Sequence, residues 1–254
     1  TLYSSSAASD VYKRQLQATK GMAHGDFRLL VLAPWSVQEA ADLVQDAFDL
    51  ADFYRNPVIV LGDGLIGQMM EPVEFKEGRQ PIKKLEPKTW AATGHTGERP
   101  RAIINSLYLD PEELERHNLR LKEKYDRMVR DEVRYSSYGT EEDYDVLIVG
   151  YGTVARVCYT AIEELAEQGI QVGMVRPISL FPYPYDAVRE AARRAKAVLV
   201  VELSMGQMIE DVRLAVGAER PIHFYSRVGG MLVSPEEVIE QTTAILEDRE
   251  VIHG

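Results

Sequence analysis

Short apolar runs alternate with amphipathic stretches at the start of this chain. Residues 27–33 and 57–61 are rich in Leu, Val and Ile and have the length of strands buried on both faces of a sheet. Between them, Ser36 is a suitable N-cap and Glu39 stands where a capping box would place its acid. The segment therefore predicts a strand, a helix and a second strand. The apolar positions at helical spacing, expected to cover the sheet, are Val37, Ala40, Ala41, Val44, Ala47, Phe48 and Ala51.

The second half of the chain repeats the alternation of strands and helices. Such an order is typical of a wound, mainly parallel sheet. Ser234, Pro235 and Glu237 combine an N-cap, a Pro in the first turn and a capping acid, and they predict the start of a last helix. The predicted strands are residues 145–149, 172–175, 198–202 and 221–225, and the helices between them are residues 154–168, 186–195 and 208–216.

The middle of the chain has no comparable period. Residues 74–100 are rich in Lys, Glu, Gly and Pro and predict a surface linker. Asp110 followed by Pro111 is a typical helix start, and a long helix is expected over about residues 111–133. A polar bridge would then lead to the second half. The apolar stripe of the long helix is Leu114, Leu121, Tyr125, Met128 and Val129.

Composition narrows the possible functions. With 254 residues and 45% hydrophobic content, the chain can build one or two α/β cores. The net charge of −11 argues against a nucleic-acid surface, and no apolar run approaches the roughly 18 residues of a membrane span. The single cysteine, Cys158, excludes an internal disulfide and fits a cytoplasmic location. One thiol also cannot ligate an iron–sulfur cluster, so such clusters would have to lie on other subunits.

Several segments resemble the α subunit of 2-oxoacid:ferredoxin oxidoreductases, and they look most like the branched-chain (2-oxoisovalerate, or 3-methyl-2-oxobutanoate) type. The segments are ATKGMAHGDFR, APWSVQEAADL, FDLADFYRNPVIVLGDGLIGQMMEPVE, INSLYLDPEELERHNLRLKEKY and VVELSMGQMIEDVRLAV. The resemblance implies an α/β fold in which the tail of a thiamine-diphosphate pyrimidine-type domain precedes a transketolase C-terminal-like wound parallel sheet.

This resemblance suggests four parts in the chain. Residues 1–15 lack apolar periodicity and are expected to be a non-native or disordered leader; a signal peptide is the alternative, although no apolar run follows the basic residues. Residues 16–73 would be the C-terminal part of the pyrimidine-type domain, residues 74–142 the linker with its helix, and residues 143–250 the transketolase-like domain. An N-terminally truncated chain is expected, without the cofactor-contacting glutamate of the family, so that no catalytic site is complete in this fragment.

The resemblance also implies a reaction and an assembly. The reaction is oxidative decarboxylation of a 2-oxoacid with coenzyme A to an acyl-CoA and CO₂, with ferredoxin as the electron acceptor. Thiamine diphosphate with Mg²⁺ would be bound mainly by a β subunit, and iron–sulfur clusters by another subunit. This chain alone would hold no metal or cofactor. The expected partners are therefore the β subunit, the iron–sulfur subunit and ferredoxin, with no nucleic acid and no membrane.

A glycine turn leaves a second enzymatic function open. Gly150, Gly152 and Ala155 follow a predicted strand and open a predicted helix, which is the context of a dinucleotide-binding fingerprint. The acidic residue expected at the end of the next strand is missing, but Arg176 stands there and would suit the 2′-phosphate of NADP. The alternatives are an NADP-binding Rossmann-type oxidoreductase, tight packing at the glycines without a ligand, and a non-catalytic scaffold subunit.

Candidate site residues come from loops and strand ends, where ligands of open α/β sheets gather. The Gly-Asp-Gly at residues 62–64 lacks the downstream Asn pair of a magnesium–diphosphate motif, which favours a position for Asp63 at an interface or near the cofactor. A Lys or His in the first loop would neutralise a substrate carboxylate, whereas His24 and Asp26 alternatively serve a turn. The candidates near cofactor or substrate are Thr19, Lys20, His24, Asp26 and Asp63, and the interface candidates are Glu202, Gln207, Asp211 and Arg227.

Overall fold

The alternating pattern forms two sheets in the part of the chain that the structure describes, which is residues 18–19, 26–94 and 97–248 of a computed structural model. The strands are β1 (Leu30–Leu32), β2 (Val58–Val60), β3 (Tyr135–Tyr138), β4 (Val146–Val149), β5 (Val172–Pro177), β6 (Ser179–Phe181), β7 (Ala197–Glu202) and β8 (Ile222–Ser226). The helices are α1 (Val37–Tyr54), α2 (Pro111–Asp131), α3 (Gly152–Glu167), α4 (Tyr185–Arg193), α5 (Met208–Val216) and α6 (Pro235–Leu246).

The first sheet has the strand order β2-β1-β6. Strands β1 and β2 are parallel and are joined by α1, as predicted. Ser36 caps α1 by accepting from the backbone N–H of Glu39 at 3.1 Å. The Glu39 carboxylate, however, accepts from the backbone N–H of Trp35 at 2.8 Å. The capping-box prediction is therefore correct for the Ser36 half, while the Glu39 side chain serves other partners.

The sheet-facing side of α1 differs from the prediction. The buried residues of this helix are Leu43, Asp49, Leu50 and Tyr54, whereas Val44 and Phe48 are 44% and 72% exposed. Leu43, Leu50 and Tyr54 form one stripe at helical spacing and bury more apolar area per residue than the alanines of the predicted stripe. They pack with Leu30 and Leu32 of β1 and with Met128 of α2.

The second sheet has the order β3-β5-β4-β7-β8, with the last four strands parallel. Helices α3 and α6 cover one face, and α4 and α5 cover the other, so this half is the predicted wound α/β sheet. Cys158 is buried in α3 and packs with the apolar core. The predicted capping box of α6 is present, with Ser234 and Glu237 bonded reciprocally.

Two short strands were missed from the sequence. Strand β3 lies in the predicted polar bridge and pairs antiparallel with β5, so the second sheet carries one antiparallel edge strand. Strand β6 follows β5 after a single residue, Ile178, and pairs antiparallel with β1, with Val31 opposite Phe181. The second half of the chain therefore supplies an edge strand to the first sheet. The predicted domain limits stay predictions.

Helix α2 begins at Pro111 with Asp110 as its N-cap, as predicted. Only Met128 of its apolar stripe is fully buried, and Leu114 and Val129 are 40% and 45% exposed. The exposed part of the stripe forms one wall of a groove of about 670 Å³, opposite Arg28 and Phe181. None of the described helices combines the length and apolar character needed to cross a bilayer.

Replacing Leu180 tests the contribution of β6. Its side chain is 1% exposed and packs against Val31 and Ala33 of the first sheet. We expect Leu180→Ala to lower the free energy of unfolding by about 2–5 kcal/mol, because a buried leucine leaves a cavity. Urea denaturation measures this change. Leu214→Ala, at a position 68% exposed on α5, is the control and should change stability by less than about 0.5 kcal/mol. Equal effects of the two substitutions would contradict the packing of β6.

Candidate functional site

The Asp63 carboxylate lies where the first sheet meets the second half of the chain. It follows β2 and accepts from the backbone N–H and the hydroxyl of Thr153, both at 2.8 Å. It also accepts from the backbone N–H groups of Leu65 and Ile66 at 3.1 and 3.0 Å, which close its own turn. Thr153 is in the first turn of α3, where backbone N–H groups lack helical partners. Asp63 therefore caps a helix distant in sequence.

The glycine turn before α3 is filled by this carboxylate. Gly152 has a φ of +60°, and a Cβ atom added to it would lie 2.9 Å from Asp63 Oδ2. A dinucleotide fingerprint would place its pyrophosphate against the same helix N-terminus. The Asp63 carboxylate supplies the negative charge at that position, and a pyrophosphate would have to displace it. The glycine turn is thus explained by close packing inside the chain.

Arg176, which the NADP hypothesis assigns to the 2′-phosphate, also has partners inside the chain. Its guanidinium donates to both carboxylate oxygens of Glu39, at 2.7 and 2.9 Å, and stacks over the ring of Trp35 with 4.3 Å to the centroid. The residue is 3% exposed. A 2′-phosphate would compete with a bidentate carboxylate already in place. The geometry therefore gives no support to NADP binding at this turn.

A third carboxylate, that of Glu71, joins α1 to α3. Glu71 accepts from the guanidinium of Arg156 at 2.7 Å and from the backbone N–H of Val37 at 2.9 Å. The Val37 N–H, and then the Arg156 guanidinium, lower the pKa of Glu71 below its ordinary value. Glu71 thus contacts the starts of α1 and α3 at once. We call Glu39, Asp63 and Glu71, with their partners Arg176, Thr153 and Arg156, the carboxylate seam.

The sequence singles out Asp63, Glu39 and Arg176 but predicts none of the contacts of the seam. It predicts a capping box for Glu39 and a 2′-phosphate contact for Arg176, and it gives no role to Arg156 or Glu71. The available indication was the pair Gly152 and Asp63, because a positive-φ glycine before a helix and an acid after a strand suit one contact. No local pattern indicates which acid meets which helix.

Of the first-loop candidates, Thr19 and Asp26 lie in the described part of the chain, and neither belongs to the seam. Thr19 is buried and lines a small cavity with Tyr183, and Asp26 is exposed at the groove beside α2, with a φ of +52°. Lys20 and His24 lie outside the described residues. Their predicted roles near cofactor or substrate stay predictions.

Among the interface candidates, Glu202 is 3% exposed. Its carboxylate accepts from the Ser204 hydroxyl at 2.7 Å and from the backbone N–H groups of Gln207, Met208 and Ile209 at 3.1, 3.1 and 2.8 Å. These contacts cap α5, in the same way that Asp63 caps α3. Gln207 is the N-cap position of that helix.

The other two interface candidates also have contacts inside the chain. Asp211 is buried and accepts from the Tyr185 hydroxyl. Arg227 pairs with Glu237 at 2.6 Å and thereby joins the end of β8 to α6. The interface role of the four residues stays a prediction.

The described part of the chain offers no cluster of metal-binding side chains around Asp63. No group of three or more His, Cys, Asp or Glu side chains among them is placed to hold a metal ion. The Asp63 carboxylate, the candidate nearest to a thiamine-type motif, is directed to Thr153 and its own turn. The residues present therefore do not fit Mg²⁺ at this position.

Comparison with known proteins identifies similar families for both halves. A model of the pyruvate flavodoxin/ferredoxin oxidoreductase thiamine-diphosphate-binding domain matches residues 5–136, beginning within the predicted leader. A model of pyruvate:ferredoxin oxidoreductase core domain II matches residues 144–238. These matches confirm the predicted fold class, in which part of a thiamine-diphosphate-binding-type domain precedes a wound α/β domain.

Curated relatives are similar along nearly the whole chain. Ketoisovalerate oxidoreductase subunit VorB of Methanothermobacter thermautotrophicus is 43% identical over 91% of this chain and 64% of its own length. The 2-oxoglutarate synthase subunit KorA of the same organism is 31% identical over 88% of this chain and 65% of its own length. The chain thus spans just under two thirds of these relatives, and both are named as subunits.

A solved structure has the same fold. The 2-oxoglutarate:ferredoxin oxidoreductase from Magnetococcus marinus, solved with 2-oxoglutarate, coenzyme A and succinyl-CoA bound, aligns with a TM-score of 0.70 at 22% identity. The alignment covers 91% of this chain and 44% of that chain.

Adding a methyl group at Gly152 tests the Asp63 cap. We expect Gly152→Ala to lower the free energy of unfolding by about 1 kcal/mol more than Gly169→Ala, because a capping contact is lost in addition to backbone strain. Gly169 is the matched control, since its φ is +80° and an added Cβ meets nothing within 4 Å. In an Asp63→Ala background the difference should disappear, as a double-mutant cycle in urea will measure. An undiminished difference there would contradict the contact.

NADPH provides a direct test of the remaining enzymatic alternative. We expect excess NADPH to leave the Tm of this chain unchanged, because Asp63 and Glu39 already satisfy the groups that would bind its phosphates. Differential scanning fluorimetry measures the Tm, with NADH as the control ligand without a 2′-phosphate. A Tm that rises with NADPH concentration and stays constant with NADH would overturn this assignment of the glycine turn.

Proposed function

The chain belongs to the pyruvate flavodoxin/ferredoxin oxidoreductase family, and from this we propose that it is part of the α subunit of a branched-chain 2-oxoacid:ferredoxin oxidoreductase. The proposed reaction is oxidative decarboxylation of 2-oxoisovalerate with coenzyme A to an acyl-CoA and CO₂, with ferredoxin accepting the electrons. This is the activity expected from the sequence.

The single observation that carries the proposal is the gradient of similarity among the relatives. Identity is 43% and 42% with two proteins named as ketoisovalerate oxidoreductase subunits, and 28% to 32% with four named as 2-oxoglutarate synthase subunits. Coverage of this chain is similar in both groups, at 85% to 91%. The difference in identity therefore favours the branched-chain substrate.

In the proposed assembly the cofactors are bound by different subunits. Thiamine diphosphate, when bound, supplies the carbanion chemistry of 2-oxoacid decarboxylation. We assign it with Mg²⁺ mainly to a β subunit, as the resemblance implies, and this is consistent with the Asp63 carboxylate being directed to Thr153 and its own turn. We assign the iron–sulfur clusters to another subunit because a single cysteine cannot ligate one. The cytoplasmic location stays a prediction.

This chain would help to orient the substrate and would supply charged groups near it. The carboxylate seam connects the segment after β2 to the first turns of α3 through Asp63 and Glu71, and connects α1 to β5 through Glu39. Carboxyl ends of parallel strands are where α/β sheets bind ligands. Lys20 or His24, which precede β1 in the sequence, would neutralise the carboxylate of the 2-oxoacid. Thr19, Asp26 and Asp63 are the other candidates for positions near the cofactor or substrate.

The proposed interface residues are Glu202, Gln207, Asp211 and Arg227. They follow or adjoin the carboxyl ends of β7 and β8. The partner expected at this edge is the β subunit. Since Glu202 and Arg227 also make contacts inside the chain, they would hold the edge in shape for that partner.

The test is viologen reduction by the full-length subunit that contains this sequence, co-expressed with its partner subunits and supplied with coenzyme A and thiamine diphosphate. We expect the highest kcat/KM with 2-oxoisovalerate, compared with pyruvate and 2-oxoglutarate. Lys20→Ala should raise KM for the 2-oxoacid about tenfold through loss of a charge-assisted contact, whereas Lys76→Ala, an exposed control, should not.

The outcomes separate the hypotheses. A preference for another 2-oxoacid would replace the branched-chain assignment and keep the family reaction. Absence of reduction with all three acids, from an intact complex that contains the cofactor, would overturn the proposed reaction. The non-catalytic scaffold would then be the better description of this chain.

A further inference from the structure

Residues 101–109, which we call the arm, carry four large aliphatic side chains in solvent. Ile103, Ile104, Leu107 and Leu109 are between 65% and 87% exposed. The structure describes the whole arm, which directly precedes α2 and lies in neither a strand nor a helix. Single exposed apolar residues are ordinary on a protein surface, whereas four within seven positions form a patch of the kind that marks a protein contact. The arm is therefore suited to contact another chain.

The groove beside α2 offers a matching surface. Its volume is about 670 Å³, and most of its apolar wall comes from the exposed part of the α2 stripe. From Pro111 to Val129 the helix extends ~27 Å at 1.5 Å per residue, and the nine residues of the arm reach at most ~30 Å. The arm is thus long enough to follow the groove. The apolar side chains of the groove are those of Leu114, Leu119, Leu121, Tyr125, Val129 and Phe181.

The arm does not lie in the groove of its own chain. Tyr108 stacks on His117 of α2, with 4.8 Å between the ring centroids. His117 does not line the groove, and it points about 100° away from its neighbour Asn118, which does. The backbone N–H and C=O of Leu107 both bond to the Asn105 side chain at 3.0 Å, so this stretch needs no strand partner and would make contact through its side chains. Within one molecule the arm and the groove therefore remain separate.

The charges of α2 favour an antiparallel copy of the same helix as its neighbour. The first turn of α2 contains Glu112 and Glu113. Near its end, Arg127 and Arg130 share one carboxylate, that of Asp131, at 3.5 and 3.0 Å. Two α2 helices that run in opposite directions would bring the acidic start of each towards the basic end of the other, and their dipoles would also be opposed. A parallel pair would instead bring like charges together.

We propose that two copies of this chain form a two-fold dimer in which the arm of each copy lies in the groove beside α2 of the other. Both surfaces belong to every chain, so one exchange buries both arms and fills both grooves, and the assembly closes at two copies. The aliphatic side chains of the arm contact the apolar wall of the groove, and the two α2 helices run antiparallel. The dimer goes beyond the proposed 2-oxoacid reaction and does not rest on it.

Sedimentation equilibrium of the 254-residue chain tests the association. We expect a concentration-dependent species of twice the 28.6 kDa chain mass. Ile104→Asp in the arm and Leu119→Asp in the groove should each weaken association at least tenfold, because a carboxylate would enter an apolar contact. Met70→Asp is the matched control, since Met70 is 98% exposed and belongs to neither surface, and it should associate like the unmodified chain. A monomer at all concentrations, or an equal effect of the three substitutions, would overturn the proposal.

Disulfide trapping tests which surfaces meet. The native Cys158 is buried, and burial raises the pKa of its thiol to about 12, so it does not compete with an exposed thiol. Chains with Leu107→Cys, mixed with chains with Leu119→Cys, should form a disulfide between chains faster than either variant alone. Equally fast trapping of Leu107→Cys alone would place the two arms against each other and overturn the exchange. An intrachain disulfide in the double variant would do the same, because the arm would then reach its own groove.

Photo-crosslinking distinguishes the second copy from any other occupant of the groove. Leu119→p-benzoylphenylalanine is introduced into the full-length subunit that contains this sequence, which is co-expressed with its partner subunits. On irradiation we expect a crosslink to the arm of a second copy of the same subunit. A crosslink to a different subunit, or to another segment of the same molecule, would overturn the exchange. Neither result depends on whether the complex reduces viologen, so the test is independent of the proposed reaction.

Discussion

The Asp63 carboxylate is the contact on which the arrangement of the two halves most depends. It binds the N–H and hydroxyl groups of Thr153 from a position directly after β2. A free helix N-terminus attracts negative charge, and here the charge comes from the other half of the chain. Because Gly152 has no Cβ, the carboxylate can approach the helix closely. This one side-chain contact therefore pairs with N–H groups at the start of α3 and requires a residue without a Cβ at position 152. It also positions β2 relative to α3.

The ion pair of Glu39 and Arg176 adds orientation to this contact. The Arg176 side chain is 4% exposed, so its pairing must compensate a large loss of hydration. The guanidinium is satisfied by both Glu39 oxygens, by the Ser136 hydroxyl and by the Trp35 ring together, and this combination exists only in one arrangement of the two halves. The backbone pairing of β6 with β1 also favours this arrangement of the two halves. Three kinds of interaction thus specify how the halves meet.

Most of the regular structure follows from local patterns, and most of the site does not. Strong apolar runs and caps such as Asp110 and Ser234 identified the longer elements near their observed limits. Strands β3 and β6 are not predicted from the sequence, because the formation of an edge strand of three or four residues depends on its partner strand rather than on its own composition. The buried face of α1 was misplaced because stripes containing Val44 and Leu43 lie side by side on the helix, and only packing against β1 distinguishes them.

The two misleading motifs of the sequence, Gly-Asp-Gly after β2 and the glycine turn before α3, are two sides of one contact. Each resembles a phosphate-binding motif when considered alone, since acids, glycines and helix N-termini are what such sites require. In the fold the Asp63 carboxylate binds the helix N-terminus that follows the glycine turn, so neither motif is free to bind a diphosphate. Strand ends that elsewhere hold a cofactor are here used to join two halves of one chain. The two motifs therefore specify how the halves of the chain meet, and each can be interpreted only together with the other.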